Sequence, residues 1–179
     1  MKLTRLFTFI TLIAVLAACG GESSQQQSRT IEITGLDAMK FAVSGEAEGL
    51  SVADDLGSNS ELVRLESITV QPGQEITIEL ITQSQLPKTA MAHNWVLLTM
   101  DADPAAFAKA AIQAKENEYI PQDLTDSIIA HTGLAGGGET VSVTFTAPET
   151  TGEYDYLCSF PAHFGAGMAG KLIVEESGS

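Results

Sequence analysis

From Thr30 onward, apolar side chains fall on alternate positions. Ile31 and Ile33 flank Glu32, Ile68 and Val70 flank Thr69, and Ile76, Ile78 and Leu80 alternate with Thr77 and Glu79. Val141, Val143 and Phe145 repeat the pattern around Ser142 and Thr144. A period of two puts one set of side chains on one face, so each run predicts a strand with a buried side. Further strands are expected over residues 154–158 and 171–174, and around His131. Pro72-Gly73 and Gly136-Gly137-Gly138 are turn signals between such runs. Strands rich in Ile, Val and Thr, punctuated this way, predict an antiparallel sandwich or barrel.

Two segments depart from the pattern. Asp103 precedes Pro104-Ala105-Ala106-Phe107-Ala108-Lys109-Ala110-Ala111. Asp suits an N-cap, Pro suits the first helical position, and alanine has the highest helix propensity, so one helix is expected over about 104–115. Its buried face would carry Phe107, Ala111 and Ala114, with Ala110 beside them. Residues 42–59 have weak periodicity and several Gly, Ser and acidic positions, and read as an extended surface insertion.

The first residues read as an address. Lys2 and Arg5 precede an apolar run from Leu6 to Ala18, which is shorter than the roughly 20 residues a spanning helix needs. Leu16-Ala17-Ala18-Cys19 then resembles a bacterial lipobox, in which the thiol is acylated and the chain is cut before Cys. An ordinary signal peptide that happens to precede a Cys is the alternative. The expected organisation is a signal peptide over 1–18, a lipidated Cys19 with a flexible tether over 19–30, and a folded domain over 31–176. The protein would be exported and held on a membrane, facing the periplasm or the cell exterior.

Composition narrows the function. Nine basic residues stand against 23 acidic ones, a formal net charge of −14 in 179 residues. Without Lys2 and Arg5 the balance is seven against 23, about −16. Such a chain repels a phosphate backbone, which argues against nucleic-acid partners. It could instead steer basic regions of a protein partner, although solubility alone explains the charge equally well. The only cysteines are Cys19 and Cys158, and the only histidines are His93, His131 and His163. If Cys19 carries a lipid, Cys158 has no partner within the chain and is expected to be buried or to act as a ligand.

The chemistry concentrates in Cys158-Ser159-Phe160-Pro161-Ala162-His163-Phe164-Gly165-Ala166-Gly167-Met168, with Met91-Ala92-His93-Asn94-Trp95 upstream. A loop carrying thiolate, imidazole and thioether can wrap one ion, and a histidine from another strand can complete the set. Two imidazoles and a thiolate with a weak thioether form the blue-copper ligand set. Thiolate and thioether suit Cu(I), imidazole suits both oxidation states, and Phe160, Pro161 and Phe164 would exclude water. Singly, each residue has an ordinary reading: Cys158 as a core thiol, Met168 as core filler, His163 as a hydrogen-bonded histidine. A zinc site is conceivable, but thioether is a poor zinc ligand. A Cys–His hydrolase lacks a visible oxyanion hole. His131 has no second donor nearby and is expected to have a structural or surface role rather than to be a ligand.

These residues resemble the azurins, through the stretch Met91–Leu97, through Ile129-Ala130-His131-Thr132 with Gly138-Glu139 and Val143-Thr144-Phe145, and through Asp37, Met39 and Phe41. The similarity extends to the auracyanins among the cupredoxins and covers most of 31–174. It implies a Greek-key β-sandwich of about eight strands binding one copper of type 1, with the helix outside the sandwich. It implies His93, Cys158 and His163 as equatorial ligands and Met168 as the axial one. It further implies a weak contact from the Ala92 carbonyl, Asn94 bracing the ligand loop at Ser159, and a backbone N–H near Phe160 donating to the thiolate. Azurins have three residues between the last two ligands and this chain has four, as auracyanins do; azurins have Gly where Ala92 stands; and the azurin disulfide has no counterpart here. The stretch 42–65 is longer than in azurins.

The implied function is to carry single electrons between redox partners, a cytochrome or a membrane oxidoreductase, as a monomer and through the edge of His163. Phe160, Pro161, Ala162, Phe164, Leu86 and Met91 would form an apolar docking patch. The alternative is a copper storage or delivery protein with an exchangeable site. No enzymatic activity is expected, because only His131 is left over for a further copper centre, and a dinuclear site needs two cysteines in the loop.

Overall fold

The computed structural model describes residues 28–53, 56 and 61–176. The expected signal peptide, Cys19 and the expected tether up to residue 27 lie outside the described residues. The first three strands are β1 (Arg29–Leu36), β2 (Lys40–Val43) and β3 (Leu50–Ala53). They are followed by β4 (Val63–Val70), β5 (Glu75–Gln83), β6 (Ala92–His93) and β7 (Val96–Leu98). After helix α1 (Pro104–Ala111) come β8 (Ile128–His131), β9 (Ala135–Gly136), β10 (Thr140–Thr146), β11 (Gly152–Leu157) and β12 (Ala169–Val174).

The alternation seen in the sequence becomes the core. Ile31 and Ile33 of β1, and Ile76, Ile78 and Leu80 of β5, are buried, while Glu32 and Glu75 face out. Strand order runs β10-β5-β1-β2-β4-β12-β11-β7-β8, with β3 on the other edge of β4. Strand β4 pairs with β2 near Val63 and Arg64 and with β12 from Ser67 to Val70, so it joins the two halves of the sheet. The ends meet where β8 approaches β10, closing a barrel-like sandwich. The largest buried side chains, Trp95, Tyr156 and Phe41, fill its centre, with Tyr156 5.5 Å from Trp95 and 5.7 Å from Phe41. Such ring pairs add to the burial of their large apolar areas.

Four expectations change. The sheet is not wholly antiparallel: β1 runs parallel to β5, and β12 parallel to β4. Period two reports which face is buried and is silent on strand direction. The strands number twelve among the described residues rather than about eight. The additional ones are short, and β6 and β9 form a separate two-residue ladder. The stretch 42–59 is not all insertion, because it holds the end of β2 and all of β3, an edge strand with a register shift after Ser51. Strand β1 takes in Arg29 and Thr30, assigned above to the tether.

The helix is shorter than 104–115. Asp103 caps it as expected, accepting from the N–H groups of Ala105 at 2.9 Å and Ala106 at 3.1 Å. Phe107 is buried against Val96, Leu98, Ile120 and Leu157, while Ala111 joins the main core. The helix ends at Ala111, and a 3-10 turn follows over Lys115–Asn117. Glu118 and Tyr119 then adopt left-handed backbone, with φ of 53° and 63°. Propensity favours continuing the alanine helix, but the tertiary contact of Tyr119 with Phe160 turns the chain inward instead.

Candidate metal centre

Three elements converge at one end of the barrel. His93 closes β6, whose ladder pairs Ala92 with Gly136 and His93 with Ala135. Cys158 follows directly on β11, and β12 begins directly after Met168. Because β11 and β12 are antiparallel neighbours in register from Gly152↔Val174 to Leu157↔Ala169, the loop between them must return within eleven residues. It does so as a tight turn. His163 N–H donates to the Phe160 carbonyl at 3.1 Å, Met168 N–H to that of His163 at 3.0 Å, and Cys158 N–H to that of Met168 at 3.0 Å.

The donor atoms of the predicted equatorial set meet. His93 Nδ1 lies 3.2 Å from His163 Nδ1, and Cys158 Sγ lies 3.4 Å from His163 Nδ1 and 4.0 Å from His93 Nδ1. The point equidistant from three atoms so separated is about 2.1 Å from each, within about 0.2 Å of the bonds that imidazole and thiolate make to a first-row metal ion. All three residues are buried, as is Met168, which belongs to the same apolar cluster as Cys158 and Phe160. Two imidazoles and a thiolate in one plane beside a buried thioether fit type 1 copper.

Electrostatics prepare these donors unequally. Burial lowers the His93 pKa to about 4, helped by the neighbouring His163 and opposed by Asp37. Burial alone lowers His163 to about 4. Both imidazoles are therefore neutral at pH 7 with lone pairs to give. Burial pushes the Cys158 thiol up to about 12, against the backbone N–H groups of Asn94 and Phe160, which favour the thiolate. The Phe160 donor was expected from the sequence, whereas the Asn94 donor was not.

The brace between Asn94 and Ser159 is in place. Asn94 Nδ2 donates to Ser159 Oγ at 2.8 Å, and Ser159 N–H donates to Asn94 Oδ1 at 2.8 Å. Asn94 Nδ2 also reaches the Glu118 carbonyl at 3.3 Å, linking the segment after α1 to the loop. Ala92 is fully buried beside His93. His131 is exposed on β8, its Nδ1 3.0 Å from the Thr132 carbonyl, and takes no part in the cluster. Its neighbour Thr132 matters more. Thr132 Oγ1 accepts from Trp95 N–H and Thr132 N–H donates to the Trp95 carbonyl, each at 3.0 Å.

One residue of the predicted patch, Phe160, and the ligand beside it, His163, sit deep. Phe160 is 7% exposed, so its ring is wall rather than surface: it lies 4.8 Å from the His163 ring and 5.0 Å from Tyr119. His163 is 2% exposed against 0% for His93, so of the two imidazoles His163 is the one that reaches the surface at all. Next to it in the chain Ala162 is exposed and Pro161 and Phe164 are half-buried, while Leu86 is exposed and Met91, just before β6, is half-buried. Sequence reasoning also missed Gly35. A Cβ there would come within 2.6 Å of the His93 ring, so only glycine lets β1 pass behind the imidazole.

Comparison with known proteins agrees with the geometry. Residues 53–175 match the model for copper binding proteins of the plastocyanin/azurin family. Auracyanin-A of Chloroflexus aurantiacus is 37% identical over 182 residues, covering 97% of this chain and 99% of that protein. Azurin of Bordetella pertussis is 41% identical over 102 residues, 55% of this chain and 66% of that one. Among solved structures, auracyanin A from Chloroflexus aurantiacus, described as a "blue" copper protein, superposes with a TM-score of 0.62 at 33% identity, covering 83% of this chain and 100% of that one. Reduced auracyanin from Roseiflexus castenholzii gives 0.61 at 31% identity, over 82% and 97%.

The chain belongs to the plastocyanin/azurin family of copper-binding proteins. Its His93, Cys158, His163 and Met168 constellation is consistent with one type 1 copper.

Proposed function

We propose that this protein carries single electrons between redox partners, with His93, Cys158 and His163 as equatorial copper ligands and Met168 as the axial one. The observation that carries this reading is the buried triangle of donors at 3.2, 3.4 and 4.0 Å. Copper held there supplies reversible exchange of one electron between Cu(I) and Cu(II). The chain's own contribution is rigidity. Buried donors braced by Asn94 and Ser159 cannot rearrange much when the charge changes, so little reorganisation opposes transfer.

Electrons enter and leave through the edge of His163, beside Ala162, Pro161 and Phe164, with Leu86 and Met91 extending the apolar rim. A small apolar rim on an acidic body suits brief encounters with a cytochrome or membrane oxidoreductase. The protein acts as a monomer and transforms no substrate. Cys19 carries a lipid, so the domain is exported and stays close to a membrane; similarity to Auracyanin-A over 97% of the chain supports a shared N-terminal arrangement.

The test is repeated reduction and reoxidation of the copper-loaded protein with a Cu(I) chelator present. A carrier cycles with full recovery and loses no metal, whereas a protein that stores or delivers copper surrenders it to the chelator. Membrane partitioning tests the anchor: Cys19→Ala releases the protein, and unchanged partitioning rejects lipidation.

A further inference from the structure

The turn between His163 and Met168 has an open end. Ala166 N–H donates to the Ala162 and His163 carbonyls at 3.0 and 3.1 Å, and Gly167 N–H donates to that of Phe164 at 2.8 Å, as in one turn of helix. The last carbonyls of such a turn have no partner within it and carry the negative end of its dipole. Two of the four residues between the ligands are glycines, which hold a chosen shape only at an entropic cost. Something outside the loop has to fix it.

Lys40 meets that need. It begins β2, 126 residues away in sequence, and its Nζ donates to the Ala166 carbonyl. A Cβ on Gly167, whose φ is 87°, would lie 3.0 Å from the same Nζ, so the ammonium sits over both residues before Met168. Among the described residues no carboxylate pairs with Lys40, so its charge is directed at the loop. The strand paired with it, β1, supplies Gly35 behind the His93 ring. The β1–β2 hairpin thus touches the site on two sides, His93 by steric fit and the Met168 approach by charge.

We propose that Lys40 is a positioning residue for the metal centre: it fastens the loop that delivers His163 and Met168, and its charge favours the reduced site. A lysine that bonds the last carbonyls of a turn stabilises it, and a cation near a metal disfavours the more highly charged oxidation state. This inference rests on the copper reading, but its first arm does not need copper.

In metal-free protein, Lys40→Met is expected to raise amide hydrogen exchange at Gly167 and Met168 by about tenfold, the loss of one charge-assisted hydrogen bond. Lys40→Arg restores protection. In copper-loaded protein, Lys40→Met lowers the midpoint potential, and Lys40→Arg returns it towards the parent value. If Lys40→Met fails to fold, Lys40→Gln, which keeps a donor and removes the charge, is expected to lower the potential while sparing most of the protection. Parental exchange rates in Lys40→Met would overturn the fastening role, and an unmoved potential would overturn the effect of the charge. A parent protein that binds copper without becoming blue would sink the proposed function and leave the exchange measurement standing as the test of Lys40.

Discussion

Asn94 and Ser159, 65 residues apart in sequence, exchange two hydrogen bonds of 2.8 Å each in a fully buried setting. They join the segment that carries His93 to the segment that carries Cys158, so the positions of two ligands depend on one amide. Asn94→Ala leaves the Ser159 N–H and hydroxyl buried without partners. The expected cost is about 2–4 kcal/mol, from two unmet polar groups. Urea unfolding of the metal-free protein measures it. A midpoint within error of the parent would show that the brace contributes nothing to the fold.

Gly35 offers a purely steric test. Gly35→Ala places a methyl 2.6 to 2.8 Å from His93 ring carbons, closer than such atoms approach, so the imidazole must tilt. Copper affinity should fall by at least tenfold. Gly133→Ala is the control, because a Cβ there meets its nearest neighbour at 3.6 Å. Competition with a chelator of known affinity distinguishes the two variants, and equal affinities would contradict the contact.

How much of this was legible beforehand follows from the kind of signal each feature leaves. Long strands with one buried face, β1 and β5 among them, announce themselves by alternation. The ligand loop announces itself because Cys158, His163 and Met168 are rare residue types close in sequence. Strand β3 left little trace, since its four residues are nowhere fully buried. Parallel pairing leaves none, because direction is set by topology. Gly35 and Lys40 reach the site only through contacts distant in sequence, and neither belongs to a chemically conspicuous type in a motif. The burial of Phe160 was hidden because its cover, Tyr119, depends on a left-handed turn that the alanine-rich sequence before it does not foreshadow.

The pKa values give the pH dependence of the metal-free protein. His93 and His163 fall from 6.5 in the unfolded chain to about 4 in the fold, so the unfolded state binds more protons between those values. Stability should therefore decline as pH drops from 6.5 to 4, by up to about 3 kcal/mol per imidazole, and level off for these groups below that. Cys158 rises from 9.0 to about 12, so a second decline begins above pH 9. Urea midpoints measured from pH 4 to 11 should show a plateau from about 6.5 to 9.

Within that plateau the histidines are already neutral and the thiol is still protonated. Copper binding should then release one proton, from Cys158. Calorimetric titration in two buffers of different ionisation enthalpy counts it. A count near zero would mean the thiolate is already formed, and would place the sulfur in a more polar setting than its complete burial implies.

One copper held by His93, Cys158, His163 and Met168 should form a blue site. The most direct measurement is the visible absorption and EPR spectrum of the purified protein after addition of one equivalent of Cu(II). An intense charge-transfer band with a narrow copper hyperfine splitting is expected, both abolished in Cys158→Ser. A colourless product, an ordinary wide splitting, or full colour retained in Cys158→Ser would contradict it.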